Sequence, residues 1–385
     1  MPGKSNDPRT IRLCIFSPEN NAWSETFIQN HIARLPFQST ILNGTGLANL
    51  SYNNQPILPP TRFNRIRNKL LSGAQRRGHR LEQRALRSFL KRHGIQVVLA
   101  EYGHIATIIR PACEELKIPL VVHFHGNDAS HRPTLELLQK EYADLFAYAS
   151  SIVSVSHAMT NRLLRLGAPE TRIVYNCYGI DTALFRLSEE KAEPPTFVAV
   201  GRFVEKKAPH LSILAFAMAR EQQPSIRLIM IGGGPLLEPC RQLVRGLGLE
   251  EGIEFAGIKT PAEVSSVISK ARAFIQHSVI AADGNAEGTP LSILEAGACG
   301  VPVISTRHEG IRDVVMENET GLLVDEFDIK GMAGAMVRLA ADPGEACRMG
   351  RAARERIETH YTLDQHIGTL TKVILDAYRS APDCP

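Results

Sequence analysis

Two cations five positions apart follow a short apolar run, Arg202 and Lys207 in AVGRFVEKKAPH. The run before them reads as a buried strand, and a helix beginning near Pro209 would set both side chains at a strand end beside a helix N-terminus. That is an anion site. A departing diphosphate gains negative charge, so such cations favour the transition state over the bound ground state. Downstream, EGTPLSILEAGACGVPV carries two carboxylates, Glu287 and Glu295. From Pro290 to about Ala298 the segment reads as a helix that is apolar nearly all round except for Ser292 and Glu295. Thr289 is the expected N-cap and Pro290 the expected first helical residue, which leaves the amides of Leu291 and Ser292 without intrahelical acceptors, where phosphate oxygens fit. Glu295 falls one turn after Leu291 on the stripe expected to face the core, where an unpaired carboxylate is costly. Ligand hydroxyls would supply its partners. Glu287 lies just before, on the glycine-containing loop DGNAEG, where backbone can approach a ligand closely. The ordinary alternatives are a solvated Arg and Lys, a capping Glu, and a Glu paired with an Arg elsewhere.

Holding these groups together requires strand ends and helix starts at fixed places. Short β-branched runs alternate with helical segments through most of the chain, the pattern of βαβ arrays with parallel sheets. Strand candidates in the first half are 11–18, 95–103, 119–126, 151–156 and 172–179; in the second they are 196–203, 226–234, 253–258, 273–278, 301–306 and 321–325, each but the last followed by a plausible helix. The charged segment 187–195, LSEEKAEPP, reads as a linker. The expectation is an α/β protein of two doubly wound domains facing a cleft, 1–186 and 187–362, with a C-terminal helix over 363–385 capped by Thr362. Open parallel sheets bind ligands beyond the carboxyl ends of their strands, which is where the candidate residues fall.

The 385 residues are 44% apolar and 22% charged, which excludes collagenous, low-complexity and wholly disordered chains. No apolar run approaches the ~18–20 residues that span a bilayer, and MPGKSNDPRTIRLCIF lacks the apolar core of a secretory signal, so a cytoplasmic location is expected. Seven scattered cysteines with no C-x-x-C spacing suggest neither a disulfide framework nor a structural zinc site. The net charge of +4 hides a stripe: Arg62 to Arg92 holds eleven Lys/Arg against the single acid Glu82, leaving 33 basic and 39 acidic side chains elsewhere. Few aromatics interleave it and no helix-turn-helix or RNP pattern accompanies it, so nucleic acid is not the expected partner. An anionic membrane surface or a phosphate-bearing acceptor suits it better, and a solvated helix face is the bland alternative.

Glu287 and Glu295 in E-x₇-E, with Gly-Arg and a Lys five residues after the Arg, resemble the retaining glycosyltransferases of the GT-B fold, family 4, also called group 1. IGGGPL (231–236), GVPVI (300–304), EGIRDVV (309–315) and ETGLLV (319–324) extend the likeness. SETFI (24–28), HFHGND (123–128) and NCYGIDTALF (176–185) resemble the branch that builds bacterial exopolysaccharide and capsule. The resemblance implies a nucleotide-sugar donor, such as a UDP- or GDP-sugar, and a saccharide or lipid-linked acceptor at the inner membrane face. It implies that Arg202 and Lys207, with the Leu291 and Ser292 amides, hold the donor diphosphate. Glu295 would take the ribose; Glu287, Gly288 and Thr289 would touch the transferred sugar; His125 would face that sugar from the acceptor side. The C-terminal helix would return to the first domain.

The chain departs from the commoner family pattern after its first strand, where PENNAWSETF replaces a Gly-Gly loop. Asn20, Asn21 and Ser24 are the candidate substitutes for the missing amides, or simply a polar loop. No D-x-D pair of the kind that holds Mn²⁺ or Mg²⁺ occurs, so a metal-independent transfer without a cofactor is expected, the leaving phosphate taking the acceptor proton. The competing readings are a nucleotide-sugar epimerase of the same fold and a catalytically silent scaffold in a polysaccharide assembly complex.

Overall fold

The computed structural model describes residues 7–18, 25–57 and 75–381, with 75–80 described as helix backbone only. Strands β1 (Arg12–Ser17), β2 (Gln38–Asn43), β3 (Ser51–Tyr52), β4 (Gln55–Pro56), β5 (Val97–Glu101), β6 (Leu120–His123), β7 (Ser151–Ser154) and β8 (Ile173–Tyr175) form one sheet in the order β4-β3-β2-β1-β5-β6-β7-β8. From β2 to β8 the pairing is parallel. β3 and β4 add an antiparallel hairpin whose two-residue turn, Asn53-Asn54, has φ of +50° and +60°, the conformation a primed hairpin turn demands.

A second, wholly parallel sheet follows, from β9 (Thr196–Val200), β10 (Arg227–Ile231), β11 (Ile253–Gly257), β12 (Ala273–Gln276), β13 (Val303–Thr306) and β14 (Gly321–Val324), ordered β11-β10-β9-β12-β13-β14. Its direction of winding reverses between β9 and β12, and the first sheet reverses between β1 and β5. Ligands of open α/β sheets bind at such points.

Three strands escape the sequence expectation. β2 is buried only at its Leu42-Asn43 end, so it shows no strong apolar pattern, and β3 and β4 are two residues each. β14 is followed by a helix after all, Ile329–Ala341, whose N-cap Asp328 accepts from the Gly331 amide.

Side chains of the first sheet alternate between two cores, as the strand period of two requires. Cys14, Phe16, Val98, Ala100 and Val122 pack against one helical layer. Leu13, Ile15, Val97, Leu99, Val121 and Val153 pack against the last helix, Leu363–Ser380. That helix buries Leu363, Ile367, Leu370, Val373, Ile374 and Ala377 along one stripe and starts in a capping box between Thr362 and Gln365. The chain therefore crosses back from the second sheet to cover the first, as the GT-B resemblance implied.

Candidate active site

A cavity lies between the two domains, beyond the carboxyl ends of both sheets. The second domain contributes Arg202, Lys206, Lys207, Glu287, Pro290–Ser292 and Glu295; the first contributes Phe27, Tyr102, His125 and Tyr178. A 3-10 turn, Glu205–Lys207, joins β9 to the helix Pro209–Gln222 and aims the lysines inward. Gly201 has φ +156°, and a Cβ there would stand 2.7 Å from Lys207 Cδ, so the close pass of the lysine stem requires glycine. Lys207 Nζ donates to Gln276 Oε1 at 3.2 Å and lies 3.4 Å from Glu287 Oε1. Arg202 is exposed at the mouth, and its guanidinium has no protein partner among the described residues.

Lys206 went unread in the sequence, where KK beside a loop suggests solvation. It is buried, donates to the Ala286 carbonyl at 3.2 Å and stands 3.9 Å from Glu287 Oε1. Burial alone would raise the Glu287 pKa, but Lys206 and Lys207 outweigh it and hold the group down at about 2. His308 accepts from the Glu287 amide through Nε2 (3.2 Å) and faces Glu326 through Nδ1 (2.6 Å). Glu287 Oε1 is buried with no hydrogen-bond donor, so the ionised carboxylate can still accept one from a ligand. Glu295 is the opposite case: burial pushes it up to about 7, only partly offset by Lys207, and no protein group bonds it among the described residues. The carboxylate is unpaired as expected, but the stripe of Leu291 and Glu295 is half-buried and lines the cavity, while Ser292, Ile293, Leu294 and Ala296–Ala298 form the buried face; the helix is apolar nearly all round, so its pattern did not show which side met the core.

The helix itself starts one residue later than expected, spanning Leu291–Ala298 with Pro290 at the cap position and no side-chain cap. Thr289 does not cap it. Its hydroxyl donates to the Val155 carbonyl of the first domain (2.7 Å), an acceptor that only the folded pair of domains brings near. With no cap, the Leu291 and Ser292 amides have no acceptor among the described residues, while the Ser292 hydroxyl donates to Gln276 (3.2 Å). At Gly288 a Cβ would meet the His125 carbonyl at 2.5 Å, which puts the two domains in contact beside the cavity.

His125 lies just past the end of β6, and the residues that hold it were mostly missed. Its Nε2 is 2.8 Å from Glu101 Oε2 and its Nδ1 is 2.7 Å from the Tyr178 hydroxyl. Glu101 Oε1 bonds His31 Nδ1 (2.7 Å), His31 Nε2 meets His366 Nε2 (2.8 Å), and His366 Nδ1 meets the Cys177 carbonyl (2.9 Å). An acid closing the apolar run of β5 and a histidine on the apolar stripe of the last helix were the available signals. His123, the other histidine of HFHG, is buried with no hydrogen bond at either ring nitrogen, although its Nδ1 stands 3.6 Å from Glu101 Oε2, and burial drives it well below the usual histidine range. His31, Glu101 and His123 bring potential ligand atoms within 4.8 Å of one another, but His31 and Glu101 are bonded directly to each other.

Asn20, Asn21 and Ser24 lie outside the described residues, as do Arg62 to Lys69 of the basic stripe. The remainder of the stripe is the helix Gln75–Arg92, which buries Leu86, Phe89 and Leu90 and exposes Arg84, Lys91 and Arg92. Among the described residues no helix is long and apolar enough to cross a membrane.

Two family models match the chain: "Glycosyltransferase Family 4" over residues 30–184 and "Glycosyl transferases group 1" over residues 181–356. A protein of Escherichia coli K12 named as a colanic acid biosynthesis glycosyltransferase, WcaL, is 34% identical over 61% of this chain and 59% of its own length. The amylovoran biosynthesis glycosyltransferase AmsK of Erwinia amylovora is 30% identical over 70% of this chain and 67% of its own. The chain thus spans about six-tenths of the first of these relatives and two-thirds of the second. Anabaena Alr3699/HepE, solved in complex with UDP, superposes with a TM-score of 0.74 at 15% identity, covering 95% of this chain and 100% of that one.

Proposed function

The chain belongs to the group 1 glycosyl transferases, and from that premise we propose that it transfers a sugar from a nucleoside diphosphate to a saccharide or lipid-linked saccharide, in the assembly of a cell-surface polysaccharide. The observation that carries the reading is the composition of one cavity: Arg202, Lys206 and Lys207 gathered beneath two free helix-start amides, with an ionised Glu287 and a partnerless Glu295 on either side. A diphosphate at the Leu291 and Ser292 amides would be met by the dipole of that helix and by the cations. Ribose hydroxyls would supply the partners Glu295 lacks. The transferred sugar would lie against Glu287 and Gly288, with His125 across it on the acceptor side.

In this scheme the bond from sugar to phosphate stretches while negative charge builds on the phosphate, and Arg202 and Lys207 stabilise that charge more than they stabilise the bound donor. Positive charge grows on the sugar ring, beside the carboxylate of Glu287. Retention would follow from attack on the face the phosphate is leaving, the phosphate oxygen accepting the acceptor's proton. Neither a metal ion nor a cofactor is required by the scheme, since the side chains already supply the charge.

Thermal unfolding with UDP, GDP, ADP and their glucose or mannose conjugates tests it, because a ligand of the native state raises the melting temperature by mass action. A rise with one base, followed by release of that diphosphate on adding an acceptor, is expected. No rise with any of them would overturn the reading.

A further inference from the structure

The hydrogen bonds behind His125 have only one consistent direction. The Cys177 carbonyl can only accept, so His366 carries its proton on Nδ1 and offers a lone pair at Nε2. Burial drives His366 down to about 3, so it holds no second proton. His31 must then donate to it from Nε2. The His31 Nδ1 contact with Glu101 shares one more proton; burial opposes a charge on Glu101, but the contacts from His31 and His125, one to each carboxylate oxygen, favour the carboxylate and hold its pKa well below the usual range, which leaves the shared proton on His31. Either placement leaves Glu101 Oε2 an acceptor, and His125 is bonded to it through Nε2–H. The negative charge of Glu101 is already matched by His31. Asp128 is the other buried acid nearby, and it is satisfied by the amides of Gly103, His125 and Gly126. His104 and His123 are both pushed down by burial, and Glu25 is turned toward Tyr102. Nothing in the pocket calls for a second imidazolium, so His125 keeps one proton and offers Nδ1 as an acceptor.

Tyr178 is the group that meets that lone pair. Its hydroxyl is 2.7 Å from His125 Nδ1, its ring is pinned against Phe27 (centroids 4.9 Å apart), and it lines the cavity. We propose that Glu101, backed by His31 and His366, is a positioning residue that makes Tyr178 turn its proton inward and its oxygen lone pairs toward the cavity, so that Tyr178 recognises a sugar hydroxyl as a hydrogen-bond acceptor only. The last helix thereby reaches the active site: His366 is bonded through His31, Glu101 and His125 to a residue that touches substrate. The identity of the ligand as a sugar rests on the glycosyl-transfer reading; the direction of the hydrogen bonds does not.

The test separates the two. In full-length protein with ¹⁵N-labelled histidines at pH 8, imidazole resonances should show two protonated nitrogens on His31 and one, Nε2, on His125. In Glu101→Gln the amide can donate to His31 and accept from His125, so His31 should lose one proton while His125 is unchanged. Two protons on His125 in the wild type would overturn the inference, since Tyr178 would then be the donor into the cavity. Calorimetry and turnover then use whichever of UDP-glucose, GDP-mannose or ADP-glucose binds, together with its monodeoxy sugars. Tyr178→Phe should cost about ten- to a hundredfold in kcat/KM with the parent donor, as expected for a lost hydrogen bond, or equally with the parent acceptor. One monodeoxy donor or acceptor should be indifferent to the substitution. An equal loss with every deoxy compound overturns the hydroxyl contact alone. Absence of binding to any nucleotide sugar, with the resonances as expected, overturns the glycosyl reading and the sugar assignment with it, and leaves the wiring standing.

Discussion

Glu287 and Glu295 line the same cavity and sit at opposite ends of the carboxyl range, one held down at about 2 by Lys206 and Lys207 against its burial, the other pushed up to about 7 by burial. Their contributions to stability therefore run in opposite directions with pH. Glu287 stabilises the folded state above pH 4.5, and that contribution is lost as pH falls toward 2. Glu295 keeps its proton in the folded state, so its contribution is present below pH 4.5 and is lost as pH rises through 7. At 1.36 kcal/mol per unit, the Glu295 shift amounts to about 3 kcal/mol. Urea unfolding of Glu295→Gln at pH 5 and pH 8 should show a flatter dependence than the wild type by about 2–3 kcal/mol. Parallel curves would mean that Glu295 is well hydrated.

Arg202 and Lys207 should separate in stability while agreeing in turnover. Each substitution to Ala is expected to lower kcat/KM about a hundredfold, or about 3 kcal/mol, since each removes charge opposite the departing diphosphate. Arg202→Ala should leave unfolding unchanged within about 0.5 kcal/mol, because the guanidinium is exposed and has no described partner. Lys207→Ala takes a donor from Gln276 and a counter-charge from buried Glu287, so it should destabilise by about 3 kcal/mol. Unaltered kcat/KM in both would remove the diphosphate assignment.

Leu370 has no exposed surface and joins Leu13, Leu99 and Val121 under the first sheet. Leu370→Ala should cost about 2–5 kcal/mol, seen as a lower urea midpoint. If the last helix were merely appended, the loss would be near zero and first-sheet amide protection would be unchanged.

The basic stripe should bring the chain to anionic vesicles in sedimentation at low salt and release it at high salt, because exposed charges are screened beyond ~8–10 Å at physiological ionic strength. In the helix Gln75–Arg92 one face is committed to the core through Leu86, Phe89 and Leu90, so the contact must use the charged face alone. Binding that ignores lipid charge would count against it.

What the sequence made legible follows from range. Six strands of the second domain, the cations at the end of β9 and the carboxylates around Leu291–Ala298 are written in local spacing: an apolar run, a breaker, then a charge. Thr289 was misjudged as a cap because its true acceptor, the Val155 carbonyl, is 134 positions away. Glu101 and His366 each left a local mark, an acid closing an apolar strand and a histidine on an apolar helix stripe, but their connection through His31 did not, since a hydrogen bond spanning 335 positions leaves no periodic trace. Lys206 was lost to its neighbour, because two adjacent lysines look alike until the turn Glu205–Lys207 decides which is buried and that both face Glu287.

The division of labour between the two carboxylates gives the most discriminating test of the site. If Glu295 accepts ribose hydroxyls, Glu295→Gln should weaken the free nucleoside diphosphate as much as the intact donor, by about ten- to a hundredfold, since a hydrogen bond to a charged acceptor is worth about 1.5–3 kcal/mol. A proton on Glu295 at neutral pH would mute that loss, so calorimetry belongs at pH 8.5, where the wild type is ionised and the Gln variant is not. Glu287→Gln should leave diphosphate affinity within about twofold and lower kcat instead, because in the proposed scheme its carboxylate, whose Oε1 accepts no protein hydrogen bond, lies beside the sugar ring as that ring gains positive charge. It should also destabilise, since Lys206 and Lys207 lose their shared counter-ion, and far-UV spectra with urea midpoints must show that both variants are folded under assay. Equal effects of the two substitutions on diphosphate binding would show that one ligand group spans both carboxylates, and the assignment of ribose to Glu295 and sugar to Glu287 would fall while the cations and the helix-start amides kept theirs.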